Sequence, residues 1–280
     1  MDVECVEYIY SNEYADFLED YRYDENNIIN KFNPICINQI TRKYYVAYKK
    51  VNNIFEMPIT EYGYSSFPKL YGLLDTTVLE EIGALTLRRI PGFELDGTGV
   101  LLGFVDTGIN YNLDIFKFDK TDTKIISIWD QSLYEGKEKS YANYGRVYTR
   151  DEINEAINSE NPYKIVMQED KIGHGTTMAA VAAGSVDLEN DFSGVAPGCE
   201  IIVVKLKEAK QYLKEYYQVL NTADVFQDTD IMAGIQYLLE EAKKLNMPIV
   251  ICLGVGSNMG NHDGRDNLSQ YIDEIIQGWL

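Results

Sequence analysis

The stretch Val100-Leu-Leu-Gly-Phe-Val-Asp106-Thr-Gly-Ile-Asn110 decides the fold class of this chain. An unbroken run of apolar residues and glycine leads up to Asp106 without the alternation of a half-exposed strand, and it predicts a strand buried on both faces. Asp106 then stands at the carboxyl end of that strand, where open parallel sheets collect their ligands and chemistry. The same pattern fits an Asp that only bonds the next backbone amides in a turn, and this stretch alone does not separate the two roles.

The composition of the chain sets limits on its partners. Its 280 residues are 45% hydrophobic and carry a formal net charge of −19, from 44 acidic and 25 basic residues. A chain of this size can bury a real core, and because its negative charge repels nucleic acids we expect no nucleic-acid partner. The acidic amino terminus is unlike a secretory signal and no apolar run reaches membrane-spanning length. We therefore expect an intracellular location, without export by that route and without a membrane span.

The four cysteines, at positions 5, 36, 199 and 252, lie far apart in the sequence. There is no Cys-x-x-Cys pair and no grouping of cysteine with histidine, which argues against a zinc site. We therefore expect neither a metal nor a cofactor. In an intracellular chain, these thiols are expected to be reduced.

Strand and helix patterns alternate after residue 75. Further buried strands are predicted from apolar runs at residues 124–129, 201–206 and 249–253. Helices are predicted at residues 208–220 and 230–245 from their apolar faces, and from a capping box at Thr77 up to Pro91. Because strands separated by helices pair in parallel with right-handed crossovers, residues 75–280 are predicted to form an α/β domain. Its mostly parallel sheet should have helices on both faces.

Residues 1–74 are predicted to form a small α+β domain of their own. Short strands are predicted at residues 8–10, 35–40 and 44–48, with one helix from Ser11 or Asn12 to Tyr21. Proline, glycine and serine residues between positions 52 and 69 indicate a linker, so we place the domain boundary near residue 74. Farther along the chain, the polar and tyrosine-rich residues 130–170 are predicted to be a surface insertion with a short helix near residues 151–158.

The stretch Gly173-His-Gly-Thr-Thr-Met-Ala-Ala-Val-Ala-Ala-Gly184 places a histidine before a run of small residues. Small side chains let a helix backbone pack closely against a sheet, with His174 at the amino-terminal end of the helix. His262 is the other histidine of the chain, and a histidine between two glycines at the end of an element is accessible to a partner group. We therefore expect His174 and Asp106 to be neighbours at one edge of the sheet.

Two other functions are consistent with single motifs. The Asp-Thr-Gly at residues 106–108 matches aspartic proteases, but these need a second such carboxylate and a nearly all-β sequence, which this chain does not have. Gly254-Val-Gly-Ser-Asn-Met-Gly260 is like a glycine-rich nucleotide loop, but a polar stretch follows where the phosphate-binding helix should begin. Neither function is favoured.

Four motifs, in their order along the chain, resemble the subtilisin-like serine proteases. They are Val105-Asp-Thr-Gly-Ile109, Gly173-His-Gly-Thr176, Ser193-Gly-Val-Ala-Pro-Gly198 and Cys252-Leu-Gly254, where the family commonly has Ser-Leu-Gly. The resemblance implies a serine endopeptidase in which Asp106 and His174 are catalytic, with the histidine as the general base. It also implies that Cys252, Leu253 and Gly254 bind an extended peptide or protein substrate.

Within that family, Trp129-Asp-Gln131 and the residues from Asn258 to Gly264 are most similar to the germination-specific subtilisin-like proteases of clostridial spores. This resemblance implies a location in the spore and a role in germination, by proteolytic activation of a cortex-lytic enzyme precursor. Related germination proteases would be its partners. Residues 1–74 would be its own inhibitory propeptide, with their last residues in the substrate groove.

The chain departs from the family at the nucleophile. The serine of these proteases lies in a Gly-Thr-Ser segment and their oxyanion asparagine in an Ala-Gly-Asn segment, and neither segment occurs before Leu280. The sequence therefore predicts an incomplete subtilisin-like domain, truncated before the nucleophile and inactive alone. A pseudoprotease, which keeps the fold and acts as a binding or signalling partner in germination, is the alternative.

Overall fold

The computed structural model describes residues 5–20, 25–41, 43–51, 62–73, 95–133, 141–189, 192–260 and 263–279. The amino-terminal unit contains an antiparallel sheet in which β3 (Tyr44–Lys50) lies between β1 (Tyr14–Asp20) and β2 (Cys36–Gln39). Helix α1 (Val6–Tyr10) precedes β1, and α2 (Glu25–Phe32) lies between β1 and β2 in the sequence. Strands β2 and β3 thus lie where the sequence predicts them.

Two elements of this unit differ from the predicted ones. Residues 8–10, expected as a short strand, belong to α1, and residues 14–20, expected as part of a helix, form β1. Pairing with β3 stabilises this strand, from Tyr14 opposite Lys50 to Asp20 opposite Tyr44. Because residues 15–18 are all buried, the alternation that marks a half-exposed strand is missing here. The tertiary environment therefore overrides the local pattern.

A five-stranded sheet lies at the centre of the rest of the chain. Its order is β10 (Ile249–Leu253), β5 (Leu101–Asp106), β8 (Glu200–Lys205), β6 (Ile125–Asp130) and β7 (Arg146–Thr149). The first four strands are parallel, and β7 is antiparallel to β6. The predicted α/β fold with a mostly parallel sheet is confirmed.

Helices cover both faces of this sheet. They include α3 (Arg150–Ile157), α4 (His174–Ala183), α6 (Asp228–Leu245) and α7 (Asn267–Trp279), whereas α5 (Gln211–Tyr216) packs against the amino-terminal unit. Alternate residues of β8 enter two separate cores, because side chains alternate across a strand. Val203 packs in one core with Ala179 of α4, and Val204 packs in the other with Ile231 and Leu238 of α6.

A third sheet connects the two parts of the chain. Strand β4 (Leu70–Leu73) lies between β9 (Val225–Gln227) and β11 (Val255–Gly256), and it is antiparallel to both. Just before it, in the predicted linker, Tyr62 and Phe67 are buried in a core that the amino-terminal unit shares with α5. This part of the predicted linker is therefore packed rather than exposed.

The prediction of a surface insertion over residues 130–170 is wrong for much of that segment. The segment contains β7 and α3, and the side chains of Tyr148, Ile153 and Val166 are fully buried. Tyr148 buries its ring while its hydroxyl accepts a hydrogen bond from the Met167 N–H at 3.2 Å. A tyrosine-rich segment can therefore form core although its sequence looks polar. The short helix is confirmed as α3, which begins with a capping box at Thr149.

The expectation of reduced cysteines is wrong for the amino-terminal unit. Cys5, at the start of α1, and Cys36, at the start of β2, form a disulfide with their Cα atoms 5.7 Å apart. Cys199 and Cys252 are free thiols. Cys5 and Cys36 pair because α1 packs against the sheet. No cysteine spacing motif in the sequence indicates this disulfide.

Other sequence predictions have mixed outcomes. The helix predicted at residues 230–245 is confirmed as α6, and the one at residues 208–220 is shorter than predicted, as α5. The helix from Thr77 to Pro91, the boundary near residue 74 and His262 lie outside the described residues. In the described ranges, the structure contains no helix that is both long and apolar enough for a membrane span.

Candidate functional site

Asp106 and His174 meet at the carboxyl edge of the central sheet. Asp106 is the last residue of β5 and His174 is the first residue of α4. Gly173 precedes the helix with a positive φ of 85°, a backbone conformation that favours glycine. The Nδ1 atom of His174 lies 2.8 Å from Oδ1 of Asp106, a hydrogen-bonding distance. The predicted proximity of these two side chains is confirmed.

The carboxylate of Asp106 lies in a nearly closed environment, with only 1% of the residue exposed. Its Oδ1 also accepts a hydrogen bond from the Thr107 N–H at 2.6 Å, whereas Oδ2 has no hydrogen-bond partner among the described residues. Burial raises the pKa of Asp106 above its ordinary value, and the hydrogen bonds from His174 and Thr107 oppose this shift. A carboxylate in this position orients the imidazole and favours the tautomer with its proton on Nδ1.

Two glycines allow the backbone to approach this pair closely. A Cβ atom at Gly254 would overlap with Oδ2 of Asp106 and would lie 3.0 Å from Cε1 of His174. A Cβ atom at Gly175 would overlap with the backbone oxygen of Gly108 and lie 3.1 Å from Cβ of Asp106. Both positions therefore require glycine if Asp106 and His174 are to keep this geometry.

Strand β4 lies between β9 and β11, and its carboxyl end is directed toward the Asp106 and His174 pair. Leu73 pairs with Val255, and Gly72 pairs with both Gly256 and Val225. Since the pairing is antiparallel, the carboxyl end of β4 is directed toward Gly254. Cys252 and Leu253, which the sequence assigns to substrate binding, pair in the central sheet with β5, and the strand beside β4 is the next one, β11.

The part of the chain that carries this site is similar in sequence to a known protein family. Residues 97–279, more than half of the chain, match the model of the Subtilase family. The chain belongs to the subtilase family. Its central sheet, its helices on both faces and the placing of Asp106 and His174 at one sheet edge all lie within the matched part.

A solved structure of a protease is also similar to this subtilase. The Clostridium perfringens CspB protease has 31% sequence identity to it, with a TM-score of 0.57. The match covers 69% of this chain and 37% of the CspB chain. The chain thus spans well under half the length of that relative.

Sequence reasoning missed two carboxylates of this subtilase, one beside the Asp106 and His174 pair and one beside β4. Asp170, on the segment before α4, accepts hydrogen bonds from both Thr107 and Thr176. Asp228 begins α6, is 1% exposed, and donates its backbone N–H to the Lys69 carbonyl at 3.0 Å, directly before β4. An aspartate at the start of a helix is common near the cap, so its position alone does not mark Asp228 as unusual, and Asp170 matches no motif of the sequence analysis.

Asp228 titrates near neutral pH. Burial raises the pKa of its carboxyl to about 7, against the opposing effect of Lys69, and its Oδ1 has no hydrogen-bond partner among the described residues. Burial also lowers the pKa of the Lys69 ammonium to about 8, although Asp228 and Asp266 oppose this. The first residue of α6, directly after β9, therefore carries a carboxyl group that gains charge as the pH passes neutrality.

Replacing Asp228 with Asn is expected to flatten the pH dependence of stability. The folded pKa of Asp228 lies above that of an unfolded Asp, so the neutral carboxyl stabilises the fold at low pH. This contribution is lost as the pH rises from about 4 to about 7. At pH 8 the variant should exceed the parent by up to about 4 kcal/mol in free energy of unfolding, which corresponds to the difference between a pKa of about 7 in the folded chain and about 4 in the unfolded chain, with little difference at pH 4. Urea titrations at both pH values measure this. Asp224→Asn, at an exposed position, is the control, and parallel pH profiles of the Asp228→Asn variant and its parent would contradict the assignment.

Proposed function

We propose that this chain is the amino-terminal part of a subtilisin-type serine endopeptidase, which hydrolyses peptide bonds with an Asp, His and Ser triad. The observation that carries the proposal is the hydrogen bond between His174 Nδ1 and the buried Asp106 carboxylate. This arrangement leaves Nε2 as the ring atom that would take a proton from a serine hydroxyl. Membership of the subtilase family supports the same reaction.

In this mechanism His174 acts first as base and then as acid. It takes the proton of the serine hydroxyl as that oxygen attacks the peptide carbonyl, and it later gives the proton to the leaving amine. Asp106 holds the imidazole in the tautomer that can do this, and it stabilises the imidazolium that forms. The nucleophilic serine would come from polypeptide outside these 280 residues. Removing that serine from subtilisin itself lowers turnover by roughly 10⁶-fold, so these residues alone should be inactive.

The groove of this protease would take an extended peptide as an added strand. Strand β4 supports this, because it is held from both sides by backbone pairing with β9 and β11, the way in which proteins bind extended peptides by β-augmentation. Gly254 would bring the bound backbone next to Asp106 and His174. Cys252 and Leu253 would also contribute to the groove, and their pairing with β5 would hold them in position.

Residues 1–74 would then be an inhibitory propeptide domain that occupies the groove with its last residues, and residues 75–280 would belong to the protease domain. The position of β4 between β9 and β11 supports this division. We further propose that the protease acts in spore germination, activating a cortex-lytic enzyme precursor together with related germination proteases. The sequence resemblance to germination proteases supports that role.

A fluorophosphonate probe, which reacts with activated serine hydroxyls, distinguishes an enzyme from a pseudoprotease. The test uses a polypeptide that contains these 280 residues and continues through the nucleophile region. After residues 1–74 have been removed from its groove, this protein should be labelled, and its His174→Ala variant should not. His262→Ala is the matched control, because it removes the other histidine of these 280 residues and should leave labelling intact. A folded parent protein that takes up no probe would favour the binding or signalling role.

A further inference from the structure

We propose that Asp170 is a positioning residue that sets the geometry of the Asp106 and His174 pair, an inference that rests on the proposed protease function. Asp170 does not touch either side chain of the pair through its hydrogen bonds. Its Oδ1 accepts from Thr107 Oγ1 at 2.8 Å and from the Gly173 N–H at 2.9 Å. Its Oδ2 accepts from the N–H of Thr176 at 2.8 Å and from its Oγ1 at 2.6 Å.

These four hydrogen bonds join the two segments that carry the pair. Thr107 directly follows Asp106, whereas Gly173 and Thr176 flank His174 at the start of α4. A carboxylate can accept all four bonds, two on each oxygen. Asp170 therefore fixes the distance between the end of β5 and the first turn of α4. The hydrogen bond between Asp106 and His174 depends on that distance.

Further contacts strengthen the same connection. The Thr107 hydroxyl donates to Asp170 and also accepts the Gly175 N–H at 2.9 Å. The Thr176 hydroxyl, which donates to Asp170, accepts the Asn110 N–H at 2.9 Å. Each threonine hydroxyl therefore links the carboxylate to a backbone group of the opposite segment. Removing the carboxylate would leave both hydroxyls without the acceptor that orients them.

The negative charge of Asp170 contributes to its positioning role. Burial by itself would raise the pKa of this carboxyl, but the hydrogen bonds from Thr176, Gly173 and Thr107 together hold it below its ordinary value. The carboxylate therefore stays ionised near neutral pH, and hydrogen bonds to an ionised acceptor are stronger than those to a neutral one. An amide in its place keeps the size of the side chain, but one of its two ends is an NH₂ group that repels the donors it faces.

The proton on Nδ1 of His174 reports this geometry directly, because its NMR signal moves to low field when it is held in a short bond to a carboxylate. The 280-residue chain contains two histidines, so a His262→Gln background leaves one signal to assign. We expect the low-field signal in the parent and its loss in Asp170→Asn at the same pH. Asp119→Asn should keep the signal, because Asp119 also accepts from a threonine hydroxyl and two backbone N–H groups but does so in an exposed turn. A low-field signal that Asp170→Asn leaves unchanged overturns the proposal.

Thr107 gives a second test if Asp170→Asn does not fold. Thr107→Val removes the hydroxyl that bridges Asp170 and Gly175 but leaves Asp170 bound to α4, so this variant should weaken the low-field signal. Thr107→Ser restores the hydroxyl and should restore the signal, which a general loss of stability would not do. Equal signals in the Val and Ser variants would overturn the proposal.

Neither NMR test needs turnover, so a failure of the proposed protease function and a failure of the positioning role are distinguishable. In a polypeptide that carries the serine, Asp170→Asn should also lower kcat by about 10²-fold with KM unchanged, since misplacement of a catalytic group by about 1 Å has an effect of that size. A rise in KM at constant kcat would assign Asp170 to substrate binding and overturn its positioning role.

Discussion

A polypeptide that contains these 280 residues and the nucleophilic serine is expected to cut itself between Phe67 and Thr77, and its His174→Ala variant is expected to stay intact. The general base takes the serine proton, and in subtilisin itself its loss lowers turnover by roughly 10⁶-fold. The variant should therefore keep its amino-terminal unit throughout any practical incubation. Amino-terminal sequencing of the large fragment locates the cut, and His262→Ala is the control that should still be processed.

The register of β4 narrows the position of that cut. Leu73 pairs with Val255, and the next residue along the antiparallel partner is Gly254, whose backbone lies against Asp106 and His174. Successive residues of a strand advance by about 3.3 Å, so the bond that reaches the catalytic pair should follow Leu73 closely. We expect the new amino terminus between residues 74 and 77. An identical cut in the His174→Ala variant would assign the cleavage to another protease, and the absence of a cut in both proteins would favour the pseudoprotease.

Gly72 offers a matched pair of variants for the groove itself. A Cβ atom at this position meets no other atom within 4 Å, so Gly72→Ala should be cut at nearly the parental rate. Gly72→Pro removes the backbone N–H from a residue that pairs with both Val225 and Gly256. Its self-cleavage should slow strongly, and equal rates for the two variants would contradict binding of β4 as a strand.

The Asp106 and His174 pair was predictable from the sequence because its two segments are local patterns with strong physical constraints. An apolar run that ends in Asp106 specifies a buried strand and its carboxyl edge, and a run of small residues after His174 specifies a helix that packs closely on the sheet. Parallel strands bring such ends to one edge regardless of their distance in sequence. The proximity of the pair therefore follows from two local patterns and one rule of topology.

Strand β1 and the pairing of β4 were not predictable in the same way. Residues 15–18 are buried on both faces, so they lack the alternation of a half-exposed strand. The partners of Leu70 and Leu73 are Gln227 and Val255, which no local pattern connects to them. Asp170 was missed for a related reason, because its role depends on donors from Thr107 and Thr176 that meet only in the folded chain.

The buried ion pair between the two parts of the chain is a further feature that the sequence does not reveal. Asp16 of β1 is 2% exposed and Lys210 is 4% exposed, and the Lys210 ammonium donates to the Asp16 carboxylate. Lys210 also donates to the carbonyl of Tyr8 at 2.6 Å, and Gln227 of β9 donates to the second oxygen of Asp16 at 2.9 Å. The Asp16 carboxylate therefore connects the amino-terminal unit to β9, the strand that pairs with β4.

Replacing Asp16 with Ala is expected to lower the free energy of unfolding by about 3 to 5 kcal/mol, the range found when one partner of a buried ion pair is removed. Burial already lowers the pKa of Lys210, and Asp16 opposes this, so the variant leaves an ammonium with less compensation in a closed space. Urea unfolding of the 280-residue chain measures the loss. Glu13→Ala is the control, because Glu13 and its partner Lys50 are 70% and 60% exposed and such pairs contribute about 0 to 1 kcal/mol.

A double variant separates the missing charge partner from the missing side chain. Asp16→Leu combined with Lys210→Met replaces the ion pair with apolar groups, and such exchanges are often neutral or stabilising, so stability should recover most of what Asp16→Ala loses.

In self-processed protein, Asp16→Ala should also release the cut amino-terminal unit, which gel filtration would detect as two separate species where the parent elutes as one. If Asp16→Ala lowered stability no more than Glu13→Ala and the two pieces still eluted together, Asp16 would not be what holds the amino-terminal unit in the groove. The retention would then have to come from the pairing of β4 and from the apolar contacts of Tyr8 and Tyr10.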